Sequence, residues 1–179
     1  MAAPSNRYLG KFRGKVLSND DPLRIGRITV EVPDVLGEEP STWALPCLPF
    51  TGPRSGQFVV PPPGTGVWVE FEQGDPSFPV WTGCWYGAAD ELPPDAQDAL
   101  RAGGPHKPVV VQTPQAHKIV LNDAPGDDQG ILLQAQEGGA YIRITREAVV
   151  IATGAGAEVV LRGREVTINQ GQLTVLSKR

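Results

Sequence analysis

The residues of this chain with chemistry to offer are two histidines, two cysteines, a few adjacent acids and a set of large aromatics. His106 and His117 are of a type that serves as base or metal ligand, but neither has Cys, Asp or Glu at ligand spacing, so both read as ordinary exposed imidazoles. Asp127 and Asp128, in APGDDQG, lack the alternating oxygen positions of a calcium loop and read as a solvated turn. Glu70 and Glu72 alternate along one strand. As a carboxylate pair they would do acid–base work, but contacts to solvent or a partner on a barrel surface explain them more simply. Ser18, Ser41, Ser55, Ser77 and Ser177 have no nucleophile-elbow context. Cys47 (ALPCLPF) and Cys84 (VWTGCWY) lie in apolar, strand-like surroundings without zinc spacing. They read as buried free thiols, with a disulfide between them left open. No catalytic, cofactor-binding or metal-ligating set is expected.

Trp43, Phe58, Trp68, Trp81, Trp85 and Tyr86 are of the types that stack nucleic-acid bases. Phosphate affinity also needs a positive groove, and here 16 Lys and Arg face 20 Asp and Glu, a formal net charge of −4. The aromatics are therefore expected to fill a core or an interface, with no nucleic-acid partner. No basic run or long apolar stretch is present, so neither a transmembrane helix nor a signal peptide is expected, and synthesis is expected in the cytoplasm.

The elements that must position these residues read as all-β, because 21 Gly and 18 Pro punctuate segments dominated by Val, Ile and Thr. Candidate strands 12–17, 25–32, 43–48, 66–71 and 79–85 fall within residues 1–87, where 1–7 form a flexible arm. Five strands in so short a span suit a small closed barrel of the oligonucleotide/oligosaccharide-binding (OB) type, with Val16, Ile28, Val30, Leu45, Val67, Val69, Phe71, Val80 and Trp81 inside. Residues 88–112 read as a linker. Proline and acid before 96–101, then Gly and Pro after, mark a short helical turn there, and 109–112 extend toward the next domain.

Residues 113–179 are a run of short strands separated by glycines: KIVLN, GILLQA, YIRIT, AVVIAT, EVVLR, EVTIN and QLTVL. Alternate positions place Ile119, Leu121, Ile131, Leu133, Ile142, Ile144, Val149, Ile151, Val159, Leu161, Val166, Ile168, Leu173 and Val175 on one face. No second layer, disulfide pattern or long helix is available to cover that face. Copies of the same chain are expected to cover it, as an intertwined β-prism or solenoid-like rod.

One block carries a resemblance. Gly14-Lys15-Val16 leads to Gly26-Arg27-Ile28-Thr29-Val30, and a longer pattern holds Gly64, Gly66, Val67, Val69, Phe71, Gly74, Asp75, Pro76, Pro79, Val80 and Gly83. Together with the linker and strand run, it resembles the central spike proteins of contractile injection systems. These are the phage baseplate assembly protein V, the valine–glycine-repeat spike of type VI secretion and the spikes of extracellular injection systems. The resemblance covers nearly the whole chain. It implies an N-terminal five-stranded OB barrel followed by an intertwined trimeric β-helix or β-prism.

The function it implies is mechanical and non-enzymatic: a membrane-puncturing homotrimer at the tip of the inner tube of a phage-tail-like particle, assembled in the bacterial cytoplasm. Some phage members insert a lysozyme domain between barrel and rod, where this chain has only the linker. Type VI members carry a large hub domain before the barrel, for which Met1 to Tyr8 leaves no room, and this implies a hub or baseplate protein on a separate polypeptide at the barrel end. No His-x-His pattern stands near Lys178 and Arg179, which implies a separate tip protein with a proline–alanine–alanine–arginine (PAAR) fold rather than a metal-tipped apex. Inner tube, cargo and the target membrane complete the implied partners. The alternative is a monomeric OB module binding oligosaccharide or single-stranded nucleic acid. The third reading is a cell-wall hydrolase, which lacks a carboxylate pair in a pocket.

Overall fold

In a computed structural model, which describes residues 7–176, the chain divides into two compact units at Ala88/Ala89. The expected flexible arm lies outside the described residues up to Asn6, as do Ser177, Lys178 and Arg179.

The first unit runs β1 (Phe12–Ser18), β2 (Thr29–Glu31), α1 (Pro33–Leu36), β3 (Leu45–Pro46), β4 (Thr51–Gly52), β5 (Ser55–Gly56), β6 (Gly66–Phe71) and β7 (Pro79–Trp85). Five of these form a sheet in the order β2-β1-β6-β7-β3, with β3 parallel to β7 and the other neighbours antiparallel. A bridge between Ile28 and Ala44 joins the flanks of the outer strands and closes the barrel. β4 and β5 make a separate hairpin in the loop before β6.

Alternation sets the barrel core. Val67, Val69 and Phe71 on β6 point in, beside Val16, Ile28, Val30, Val32, Ala44 and Trp81. Two expected core residues are corrected. Ala44 takes the inward position through its bridge to Ile28, which leaves Leu45 exposed, and Val80 is only half-buried. The expected strand 25–32 shortens to Thr29–Glu31 because residues 21–27 close a loop around Asp21. Its carboxylate accepts the backbone N–H groups of Leu23, Ile25 and Arg27 at 2.9–3.2 Å, and the Arg27 guanidinium at 2.6 and 2.9 Å. The expected strand 43–48 shortens to Leu45–Pro46, where Pro46 and Pro49 have no N–H to give a ladder.

The second unit opens with α2 (Pro94–Ala102) and continues β8 (Val109–Gln112), β9 (Lys118–Asn122), β10 (Gly130–Gln134), β11 (Tyr141–Ile144), β12 (Ala148–Ala152), β13 (Glu158–Arg162), β14 (Glu165–Ile168) and β15 (Leu173–Leu176). All eight strands pair with their sequence neighbours in one antiparallel meander, β8 at one edge and β15 at the other. Residues 109–112, read as the last stretch of the linker, are thus the first strand of the sheet. The helix is longer than the turn expected at 96–101, with Pro94 in its first turn and Gly103 at its C-cap.

The turns are built by side chains as well as by glycine. Thr113, Thr145 and Thr153 each use the hydroxyl to close the hairpin that follows. Gly154 (φ +76°) is obligatory for a second reason, since a Cβ there would fall on the carbonyl of Gly138 in the neighbouring turn.

Candidate assembly interface

Cross-strand register aligns the aliphatic residues of the meander into two unbroken rows. One reads Val109, Leu121, Ile131, Ile144, Val149, Leu161, Val166, Val175. The other reads Val111, Ile119, Leu133, Ile142, Ile151, Val159, Ile168, Leu173. Every strand contributes two residues, and none is polar. All the residues singled out in the sequence as one face lie in these rows, and Val109 and Val111 extend them across β8. The β-branched run Val109-Val110-Val111 marks a strand, but only the pairing with β9 assigns its faces.

This face is uncovered in the single chain. Ile142 is 36% exposed, Ile151 48% and Leu173 54%, while Val149, Val159, Val166 and Ile168 are half-buried. The result is a contiguous aliphatic surface spanning all eight strands.

The opposite face is mixed, with Val110, Val120, Leu132, Val150 and Val160 aligned there beside Arg143 and Thr167. There α2 covers the first strands. Lys118 on β9 reaches Asp95 on α2 at 2.7 Å, and Val120 beside it is 7% exposed. Lys107 donates to the carbonyls of Ala99 and Gly103 at 2.9 and 3.0 Å, placing a cation at the negative end of the helix. Asp128, expected as a solvated turn residue, is exposed and pairs with Arg143. Asp95, Asp98, Lys118, Arg143 and His106 line a cleft under α2, where acids and bases largely neutralise one another.

In the barrel, the block of motif residues works as geometry. Gly66 leaves room for the Trp85 ring, which would stand 2.6 Å from a Cβ there. Gly64 (φ +89°) turns the chain into β6, and the Gly74 carbonyl accepts the Tyr8 N–H at 2.9 Å. Asp75 Oδ1 accepts the Ser77 N–H at 2.9 Å in the turn that leads through Pro76 and Pro79 into β7; Val80 stands opposite Glu70 and Gly83 opposite Trp68, with the register shifting at Thr82 between them.

The aromatics divide. Trp81 is buried, its indole N–H donating to the Gly26 carbonyl at 3.3 Å. Trp68 and Trp85 stand with ring centroids 6.4 Å apart, and the Arg13 guanidinium lies 5.7 and 5.1 Å from them. Arg27 lies over Trp43, and Phe58 and Tyr86 are exposed. Glu70 pairs with Lys11 at 2.9 Å rather than with Glu72. Ser41, unremarked as a structural residue in the sequence, is buried and accepts the Val30 N–H at 3.0 Å.

Both cysteines are free and exposed, which corrects the buried reading. Cys47 follows the short β3, and Cys84 lies beyond the register shift near the end of β7. Packing by its neighbours still desolvates the Cys84 thiol and pushes its pKa up. The Arg27 guanidinium holds the Asp21 carboxyl well below the usual carboxylate range, against the opposing effect of desolvation. His106 and His117 are exposed. Among the described residues, no three of His, Cys, Asp and Glu gather in a metal-holding group, and no helix is long and apolar enough to cross a membrane.

The chain thus carries a closed barrel followed by a sheet with one aliphatic face laid bare. Residues 12–86 match the type VI secretion system/phage-baseplate injector OB domain, and residues 108–174 match the phage baseplate V C-terminal trimerisation domain. The two matches span most of the chain, which belongs to the phage baseplate V family of spike-like baseplate proteins. It is a structural component of a phage-tail-like particle. No curated protein matches it significantly.

Proposed function

We propose that the protein is the membrane-puncturing central spike of a contractile injection particle, a homotrimer at the tip of the inner tube. One observation carries this reading: two uninterrupted aliphatic rows run the length of the meander on an uncovered face. Three such faces turned toward a common axis give a dry core without a polar interruption, packed as tightly as a protein interior. At about 4.8 Å per strand the rows extend roughly 34 Å, a short rod.

Sheath contraction drives the rod forward, and its small cross-section concentrates the force on the target membrane. A separate hub or baseplate protein holds the barrel end, a PAAR-like protein caps the C-terminal apex, and the inner tube carries any cargo behind it. Synthesis and assembly take place in the bacterial cytoplasm, before any release of the particle.

Mass photometry of the purified chain tests the reading directly. A trimer is expected, and a stable monomer with a folded sheet would sink it. Ile144→Asp and Ile168→Asp each place a charge in a row. Each is expected to abolish the trimer while the barrel stays folded, and a trimer that survives both means the inward face is misassigned.

A further inference from the structure

Five of the large apolar side chains exposed on the barrel fall in two loops, while Leu9 and Phe78 flank the starts of β1 and β7. Leu23, Ile25, Phe50, Phe58 and Val59 are 63%, 49%, 59%, 68% and 61% exposed, and they belong to two loops that are fastened together. The Phe58 ring stands 3.1 Å from the place a Cβ on Gly26 would occupy. Asn19 Nδ2 donates to the Pro61 carbonyl across the two loops at 3.2 Å, and within the second loop the Gln57 N–H donates to the Phe50 carbonyl, also at 3.2 Å. The surface is therefore built, and a patch of this kind marks a contact site.

Its position follows from the strand directions. β1 ends at Ser18 on this pole, β6 begins here at Gly66, and β7 ends here at Trp85, directly opposite Gly66 in register. The chain therefore leaves the barrel from the pole that carries the patch. Residues 87–107 are all that separate this exit from the trimerisation match at residue 108. Three copies joined there hold their three exit poles at a local concentration on the order of millimolar, far above that of a free partner. The loops also carry both signs of charge, Asp20 against Arg24 and Arg54, all exposed. A surface that meets a copy of itself needs both.

We infer that this pole is a second self-association surface, through which the barrels of neighbouring copies bind one another. The inference rests on the trimeric reading and adds a contact that the aliphatic rows do not supply.

The test uses the full chain with Phe50 replaced by the photo-cross-linker benzoylphenylalanine, assembled from a mixture of light and heavy isotope-labelled copies. Irradiation of the trimer is expected to give mixed-isotope adducts that map to residues 19–26 or 50–60 of a second copy. A trimer whose adducts are all within one chain, or map elsewhere, overturns this inference and leaves the trimer standing. A monomeric mass overturns both. Placing the cross-linker at Val59 repeats the test if the Phe50 variant fails to fold.

Discussion

Lys118 and Asp95 meet at 2.7 Å, an ion pair that ties β9 to helix α2 across 23 residues of sequence. Both side chains are more than two-thirds covered, so the pair is screened less than an open surface pair. Lys118→Ala is expected to cost about 1 kcal/mol of local stability. Hydrogen exchange should accelerate across residues 94–102 and stay unchanged in β11 to β14. The double swap Lys118→Asp with Asp95→Lys should restore part of the protection.

Asp21 is a buried clip, its side chain 3% exposed. Its pKa in the folded barrel lies below the ordinary value of 3.8, so ionisation favours the folded state above that value. The contribution is complete at neutral pH, begins to fall as pH drops through 3.8, and goes on falling toward the folded-state value. Asp21→Asn should therefore lower the melting temperature of the barrel at pH 7, and the gap to the unaltered protein should narrow below pH 3.8. A gap independent of pH would mean that the carboxylate's charge contributes nothing.

Gly130 holds φ +135°, and a Cβ there would meet the carbonyl oxygen of Ile144 on the neighbouring strand. Gly130→Ala is expected to destabilise the sheet by at least about 1–3 kcal/mol through backbone strain alone. Gly126→Ala, which has open space but also a positive φ, should cost less. Denaturant titration followed by circular dichroism ranks the two.

Trp81 fills the barrel and donates to the Gly26 carbonyl. Trp81→Ala should cost about 3–5 kcal/mol and unfold or loosen the barrel. The assembled mass should persist, because the rows belong to the other unit. Loss of the trimer with the barrel would show that assembly depends on both.

How much of this was legible in sequence depended on how local the cause was. Val67-Trp68-Val69-Glu70-Phe71 alternates strictly between turn signals, and its strand was read to the residue. The aliphatic face was legible for the same reason, since side-chain alternation along a strand depends on nothing beyond the strand. The loop at residues 21–27 was not, because a β-like run of Ile and Val hid a carboxylate that gathers backbone N–H groups several residues ahead. The role of α2 was also hidden. Its composition marks a helix, but only the long-range pair to Lys118 makes it a cover for the sheet. The exposure of Cys47 and Cys84 depends on where β3 stops and β7 shifts register, which apolar neighbours in sequence do not reveal.

The meander has a consequence for how the protein comes to be folded. Since each strand pairs only with the next in sequence, its contact order is low, and the sheet can grow hairpin by hairpin without closing a long loop. On the proposed trimeric reading, the hairpins gain their full stability only when the rows are covered, and that step is bimolecular or higher. The measured stability of the second unit should therefore rise with protein concentration, while that of the barrel, whose core is complete within one chain, depends on it far less.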